Sequence, residues 1–326
     1  KMKSYELKDK NKRSRRLHIR RKRRMKLIRG ITSISVLLII IFSVINIASR
    51  KVDYILQTAK PNTEIKEEDI ENNLVDSNLL DNSGYLDLKD DPYADDAAMV
   101  AENTKGLLTG TKTYPVRNDG KKVVYLTFDD GPSTTNTPEI LDILDKYNVK
   151  ATFFVLGQSI ESNEEARKIL KDQVKRGHAI ANHTYSHDYS YLYPSGTMNV
   201  DNIVSDIEKN NNLLKEALGK DFYTRVIRFP GGYWSWNGRE PMREKMIEKG
   251  YCNIDWNALN QDAEGKIKNS EELLQVTKDT IERLGEDADS IVILMHDTYG
   301  KEETVKALPQ VIEYLQGKGY EFRTIK

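Results

Sequence analysis

With one cysteine in 326 residues, the chain has no partner for an intramolecular disulfide and no material for a cysteine-built zinc site. That residue, Cys252, lies in a strand-like run and reads as a small buried apolar group. Histidine is scarce too: His18, His178, His183, His187 and His296 are the full set. A net charge is also missing, because 50 basic residues balance 50 acidic ones, so the total says nothing about partners. No internal repeat is visible. Long apolar runs are absent except for one. Gly30 to Ser49 is twenty residues without a charge, and about 20 residues are needed to cross about 30 Å of hydrocarbon as a helix.

The balanced charge is strongly segregated. Residues 10–29 carry twelve Lys or Arg and no acid, whereas residues 61–103 carry thirteen Asp or Glu against Lys66 and Lys89. The basic flank predicts residues 1–29 in the cytoplasm, a transmembrane helix over 30–49, and everything after it outside the cell. The apolar run is too long for a signal-peptide core and no A-x-A site follows, so the anchor is expected to stay uncleaved. Anionic lipid headgroups account for the basic tail without nucleic acid. Residues 50–120 are acidic, rich in Asn and Asp and poor in large apolar clusters. They read as a mostly disordered extracellular stalk that cannot bury enough surface to offset its ordering entropy.

From residue 121 the texture changes to alternating strands and helices. Apolar runs at 122–128, 151–156, 178–182, 225–229, 251–256, 290–295 and 320–324 read as strands, with helices between them that stop at Gly177, Gly219, Gly250 and Gly285. One helix is expected to open at Thr137 with Pro138 at its first turn. Repeated βα units predict an α/β domain over 121–326, a parallel sheet of seven to eight units closed into a somewhat irregular barrel.

Three short pieces carry the chemistry. Asp129 and Asp130 directly follow a strand, and Gly131-Pro132 turns the chain away. Two adjacent carboxylates stay ionised together only with a cation near, and the useful division is one ligand and one base; read alone, the pair is equally an Asx-type turn. His183 and His187 stand four apart, so on a helical turn both imidazoles face one way and can hold one metal, with Asp130 as third ligand. The residue after His183 is Thr, which excludes the H-E-x-x-H protease pattern. His296 ends a strand, a position suited to a general acid. Arg228 ends another and can pair with a neighbouring aspartate, followed by glycines whose N–H groups can approach an oxyanion. The loop then offers Trp234 and Trp236, and Trp256 follows the next strand, as aromatic faces for sugar rings. One of the aspartates Asp255 and Asp262, or Asn257 between them, can hold the His296 ring. His178, after a helix-stopping glycine, reads as structural.

The order TFDDGP (127–132), HTYSH (183–187), RFPGG (228–232), DWNALNQDA (255–263) and LMH (294–296) resembles the NodB-homology polysaccharide deacetylases, carbohydrate esterase family 4. The resemblance covers residues 121–326, and the anchor and stalk resemble those of Gram-positive peptidoglycan N-acetylglucosamine deacetylases. It implies a NodB-type barrel that releases acetate from a cell-wall polysaccharide. Asp129 would be the base, Asp130, His183 and His187 the ligands of one divalent metal, zinc or alternatively cobalt or another ion. Arg228 would pair with Asp129, His296 would be the acid supported by Asp262, Gly231 would supply the oxyanion N–H, and Leu294 would line the acetyl pocket. Two positions depart from the family pattern: Gly231 stands where a Tyr is frequent, and Ala263 where a Trp usually follows the aspartate. Chitin-like, poly-glucosamine and O-acetylated xylan polymers are the alternative substrates, and a catalytically idle wall-binding module the alternative class.

Overall fold

The computed structural model of the chain describes residues 83–326. The expected transmembrane span, the basic tail and residues 50–82 of the stalk lie outside the described residues. Among the described residues no helix is long and apolar enough to cross a membrane.

The elements run in the order β1 (Ala94–Asp95), α1 (Ala97–Leu108), β2 (Val123–Asp129), α2 (Asn136–Lys146), β3 (Thr152–Val155), α3 (Gly157–Glu161), α4 (Glu164–Lys175), β4 (Ala179–Asn182) and α5 (Tyr189–Leu192). They continue with α6 (Val200–Leu218), β5 (Val226–Ile227), α7 (Arg239–Lys249), β6 (Cys252–Asn253), β7 (Ala258–Leu259), α8 (Ser270–Glu282), β8 (Ser290–His296), α9 (Glu302–Gly317), β9 (Glu321–Phe322) and β10 (Thr324–Ile325). The strand order β6-β5-β4-β3-β2-β8-β7, with β9 joining the start of β2, is parallel throughout.

Period-two alternation explains how the sheet is buried on both faces. In β2, Val124, Leu126 and Phe128 pack outward against Leu141 and Leu144 of α2 and Leu308 and Ile312 of α9. Val123 and Tyr125 face inward with Phe154, Ala181, Val226, Ile254 and Val292.

Closure of the barrel, expected from the repeated βα units, does not occur: β6 and β7 are the two ends of the strand path and do not pair. Strands β5, β6 and β7 are two residues each, too short to carry a ladder around the last quarter. The result is a curled, open half-barrel. The stalk boundary at 120 is also corrected. Ala97 and Val100 of α1 are fully buried within the inner core, β1 pairs with β10, and Tyr85 joins the outer core. The segment packs with small residues and neutralises its acids: Asp95 takes Arg117 at 2.8 Å and Arg323 at 3.0 Å, Asp96 takes Arg225 at 2.8 Å, and Asp91 takes Lys326 at 2.7 Å. Acidic composition therefore concealed a folded piece.

Helix α2 begins one residue before the expected cap. Thr137 is buried, and its hydroxyl accepts from the Ser133 N–H at 2.8 Å and donates to Asp297 at 2.6 Å.

Candidate metal centre and active site

Strand ends deliver most of the site. β2 and β8 pair in unbroken register from Val123↔Ser290 to Asp129↔His296, so the first aspartate and the last histidine emerge side by side. Asp129 is buried and accepts a 2.8 Å bond from Nη1 of Arg228. Arg228 is fully buried. Its Nη1 also donates to Thr127 at 2.8 Å, its Nε donates to the Ile254 carbonyl at 2.8 Å, and its guanidinium lies 4.0 Å over the Phe154 ring and 5.6 Å from that of Trp256. A cation so enclosed has one geometry to offer its carboxylate.

Asp130 leaves the strand with φ of 70°, in the left-handed region, and both carboxylates still approach one nitrogen, Asp129 Oδ2 lying 3.6 Å from Nε2 of His183. Asp130 Oδ1 stands 3.4 Å from Nε2 of His183 and 3.4 Å from Nε2 of His187. Only glycine fits next, since a Cβ at Gly131 would lie 2.3 Å from the Asp297 carboxylate oxygens.

The two histidines do not share a helical turn, which corrects that expectation. Residues 183–188 form a loop between β4 and α5, with φ of 69° at Thr184 and 51° at His187. Side chains brace this unusual path. Asp206 accepts from the N–H groups of Tyr185 and Ser186, both at 2.9 Å, Asn182 from that of Thr184 at 2.7 Å, and Asn210 donates to the Thr184 carbonyl at 2.8 Å. His183 Nδ1 lies 2.9 Å from the Arg228 carbonyl, which assigns the proton there and leaves the Nε2 lone pair toward Asp130.

This donor set fits a divalent cation. One ligand atom from each of Asp130, His183 and His187 lies within 4.8 Å of the others. Asp130 Oδ1 is buried with no hydrogen-bond partner, and a cation held with the two imidazoles would satisfy it. Burial alone would raise the Asp130 pKa, but His183, His187 and His296 hold it below the usual carboxylate range. Burial works to lower His183 too, and the two aspartates overcome it to give a net rise; His187 is lowered by burial and by His183.

On the other flank, His296 Nδ1 meets Asp262 Oδ1 at 2.7 Å, and its backbone N–H donates to Asp262 Oδ2 at 2.9 Å. Thr304 donates to the same carboxylate at 2.7 Å. Burial opposes protonation of His296, yet Asp262, with Asp129 and Asp130 behind it, pushes its pKa up to about 9. Its Nε2, 3.9 Å from Asp130 Oδ2, is the end that faces the cluster. Of the candidates for holding this ring, Asp262 does so. Asp255 instead accepts from the Tyr233 N–H at 3.2 Å, and Asn257 donates to Tyr114 and the Ser290 carbonyl.

Gly231 has φ of 73°, and a Cβ there would sit 3.0 Å from the Trp236 ring and 3.2 Å from the Tyr189 hydroxyl. Trp236 therefore fills the space beside the glycine. It is anchored by its Nε1 donating to the Pro230 carbonyl at 3.0 Å and stacks on Tyr193 at 4.0 Å. Trp256 packs on Gly232, and the Arg228 guanidinium lies 5.6 Å from its ring. Trp234 does not join the cluster: it lines a groove of about 440 Å³ with Leu108, Met246 and Tyr251, whose walls include no metal-ligand candidate and not His296. Leu294 is buried opposite Thr127, two register positions before the Asp129–His296 pair. Sequence reasoning missed Tyr189 and Asp206. The only hint for Tyr189 was its place after Asp188, an aspartate that caps α5.

Residues 116–248 match the family model described as polysaccharide deacetylase. A bifunctional xylanase/deacetylase of Pseudobutyrivibrio xylanivorans is 35% identical over 232 residues, 70% of this chain and 33% of that one, so the chain spans about a third of that relative's length. A peptidoglycan-N-acetylglucosamine deacetylase of Bacillus cereus is 32% identical over 215 residues, 65% of this chain and 72% of the relative. Among solved structures, a Streptococcus mutans CE4 esterase is similar with a TM-score of 0.65 and 34% identity, covering 76% of this chain and 100% of that one.

Proposed function

Since the chain belongs to the NodB-type polysaccharide deacetylases of carbohydrate esterase family 4, enzymes that hydrolyse N-acetyl amide bonds, we propose that it deacetylates N-acetylglucosamine in peptidoglycan, using a divalent metal held by Asp130, His183 and His187. One observation carries this reading. The unpartnered Asp130 oxygen lies between two imidazole nitrogens, with an arginine-paired aspartate on one side and an aspartate-paired histidine on the other. An idle wall-binding module has no use for that arrangement.

A divalent cation, zinc in this reading, would be held by Asp130, His183 and His187 and would supply Lewis acidity toward the acetyl carbonyl and the attacking water. Asp129, held by Arg228, takes a proton from that water as its oxygen adds to the carbonyl carbon. The Gly231 N–H donates to the carbonyl oxygen as it becomes anionic. His296, protonated near neutral pH because of Asp262, gives its proton to the amide nitrogen as the C–N bond breaks. The products are acetate and a glucosamine amine. Leu294 lines the space for the acetyl methyl, and Trp236 borders the sugar.

The uncharged 30–49 run with its basic flank supports a single-pass anchor that leaves the domain on the outer face of the membrane, where a cell wall is the nearest polymer. A tagged full chain should then fractionate with membranes; a soluble product beginning near residue 50–60 as the sole species would remove the anchor. A second substrate, O-acetylated xylan, is favoured only by the similarity to the xylanase/deacetylase. Acetate release by the 83–326 domain from purified peptidoglycan, chitin oligomers and acetylxylan, assayed together, decides between them. Release from acetylxylan alone would overturn the peptidoglycan reading.

A further inference from the structure

Tyr189 stands at the mouth of the cluster and has no place in the steps above. Its position is set from the metal-ligand loop. His187 ends that loop, Asp188 accepts from the N–H groups of Ser190 at 2.8 Å and Tyr191 at 3.3 Å, and Tyr189 is thereby the first residue of the short helix α5. Its ring lies 5.2 Å from the His187 ring and meets Trp236 at 5.2 Å, edge to face. These contacts occupy the ring and leave the hydroxyl as the part a ligand can use. The residue is 45% exposed, and its hydroxyl has no hydrogen-bond partner among the described residues.

That hydroxyl reaches Gly231, 3.2 Å from where a Cβ would stand. Any side chain at 231 would displace it, and the positive φ there already favours glycine. The departure of Gly231 from the family pattern thus opens the space that Tyr189 enters. Tyr189 thus joins the metal-ligand candidate His187, 5.2 Å from its ring, to Gly231, whose N–H is the donor assigned above. Donors fixed before the reaction act most strongly on the oxygen where charge develops.

We propose that the Tyr189 hydroxyl is a second oxyanion donor, hydrogen-bonding the acetyl carbonyl oxygen as it becomes tetrahedral and anionic. The assignment rests on the hydrolytic reading of the site. It requires a carbonyl substrate and does not require that the substrate be peptidoglycan.

Tyr189→Phe keeps the ring packing and removes only the donor. With unchanged metal content, turnover on chitin oligomers should fall by about 10²-fold, the usual effect of losing one such donor, while KM stays within a factor of two. Affinity for a methylphosphonamidate of glucosamine, a tetrahedral anionic mimic, should fall by a similar factor, with binding of the deacetylated oligomer unchanged. Wild-type turnover in Tyr189→Phe, or a rise in KM alone, would overturn the assignment. If the parent protein releases no acetate from any glycan, the polysaccharide reading falls by itself. The Tyr189 assignment is then judged on 4-nitrophenyl acetate, whose ester carbonyl develops the same oxyanion.

Discussion

The two flanks of the site are built by opposite means. On one, the unbroken β2–β8 ladder sets Asp129 beside His296, and two residues far apart in sequence meet because parallel strands repeat at fixed spacing. On the other, a loop with two residues in the left-handed region brings His183 and His187 to Asp130, and side chains from α6 and β4 hold it there. The ladder tolerates a change of side chain, because its geometry is backbone. The loop's geometry depends on side chains.

The largest test of that contrast is the pair of adjacent aspartates. Asp130→Asn or His183→Ala should lose most bound metal and reduce acetate release by more than about 10³-fold, with partial rescue of Asp130→Asn by added metal. Asp129→Asn should keep its metal and lose about 10²–10⁴ in turnover, with little change in KM. Metal content and acetate release across a metal titration read both. Rescue of Asp129→Asn and not of Asp130→Asn would reverse the two roles.

A smaller effect is expected behind the loop. Asp206→Ala leaves the N–H groups of Tyr185 and Ser186 without their acceptor, so metal affinity should weaken about 10–100-fold although no ligand is touched. Competition with a chelator measures this. Unchanged affinity would mean that the loop holds its shape without side-chain braces, and the contrast between flanks would fail.

The matching change on the ladder side is Asp262→Asn. Asp262, with Asp129 and Asp130, raises the His296 pKa to about 9 against burial, and the acid step needs the protonated ring, so activity is lost as pH rises through that value. Without the Asp262 charge the His296 pKa falls, and the alkaline limb of the rate profile should move to lower pH with metal content unaltered. An unmoved limb would take the acid role from His296.

How much of this was legible follows the same division. Short continuous apolar runs announced β2, β3 and β8, and with them the places of Asp129 and His296, because buried parallel strands read as unbroken hydrophobic stretches. β5, β6 and β7 are two residues each, so no run could show that the sheet stops short of closing. The four-residue spacing of His183 and His187 suggested a helix, since period counting sees the interval and not the sign of φ at Thr184. Residues 94–108 were taken as stalk because their core contacts use Ala97 and Val100, while Asp95 and Asp96 are neutralised by Arg117, Arg323 and Arg225 from distant segments. Tyr189 was missed because nothing local distinguishes a tyrosine that reaches a glycine forty residues away.

The smallest effect concerns β4 itself, which has a histidine at each end. His183 follows its last residue and faces Asp130; His178 precedes its first and is buried against the ring of Phe153, 5.4 Å away. His178 Nδ1 accepts from the Ala151 N–H at 3.2 Å, a ladder-side contact. Burial, helped by Lys150 and Arg176, pushes its pKa well below the ordinary 6.5. Well above pH 6.5 the ring is neutral in folded and unfolded chains alike, and it contributes no pH dependence. Below that value the unfolded chain binds a proton that the folded one refuses, so stability falls with falling pH, by up to about 1.4 kcal/mol per unit. His178→Asn keeps an acceptor near Nδ1 and does not titrate. Urea unfolding of the 83–326 domain at pH 8.0, 6.5 and 5.5 should show that the parent loses about 1 kcal/mol more than the variant over the last step and only about 0.4 kcal/mol more over the first. Parallel curves throughout would mean that the buried ring accepts a proton, and that the regular end of β4 is as adaptable as the loop at its other end.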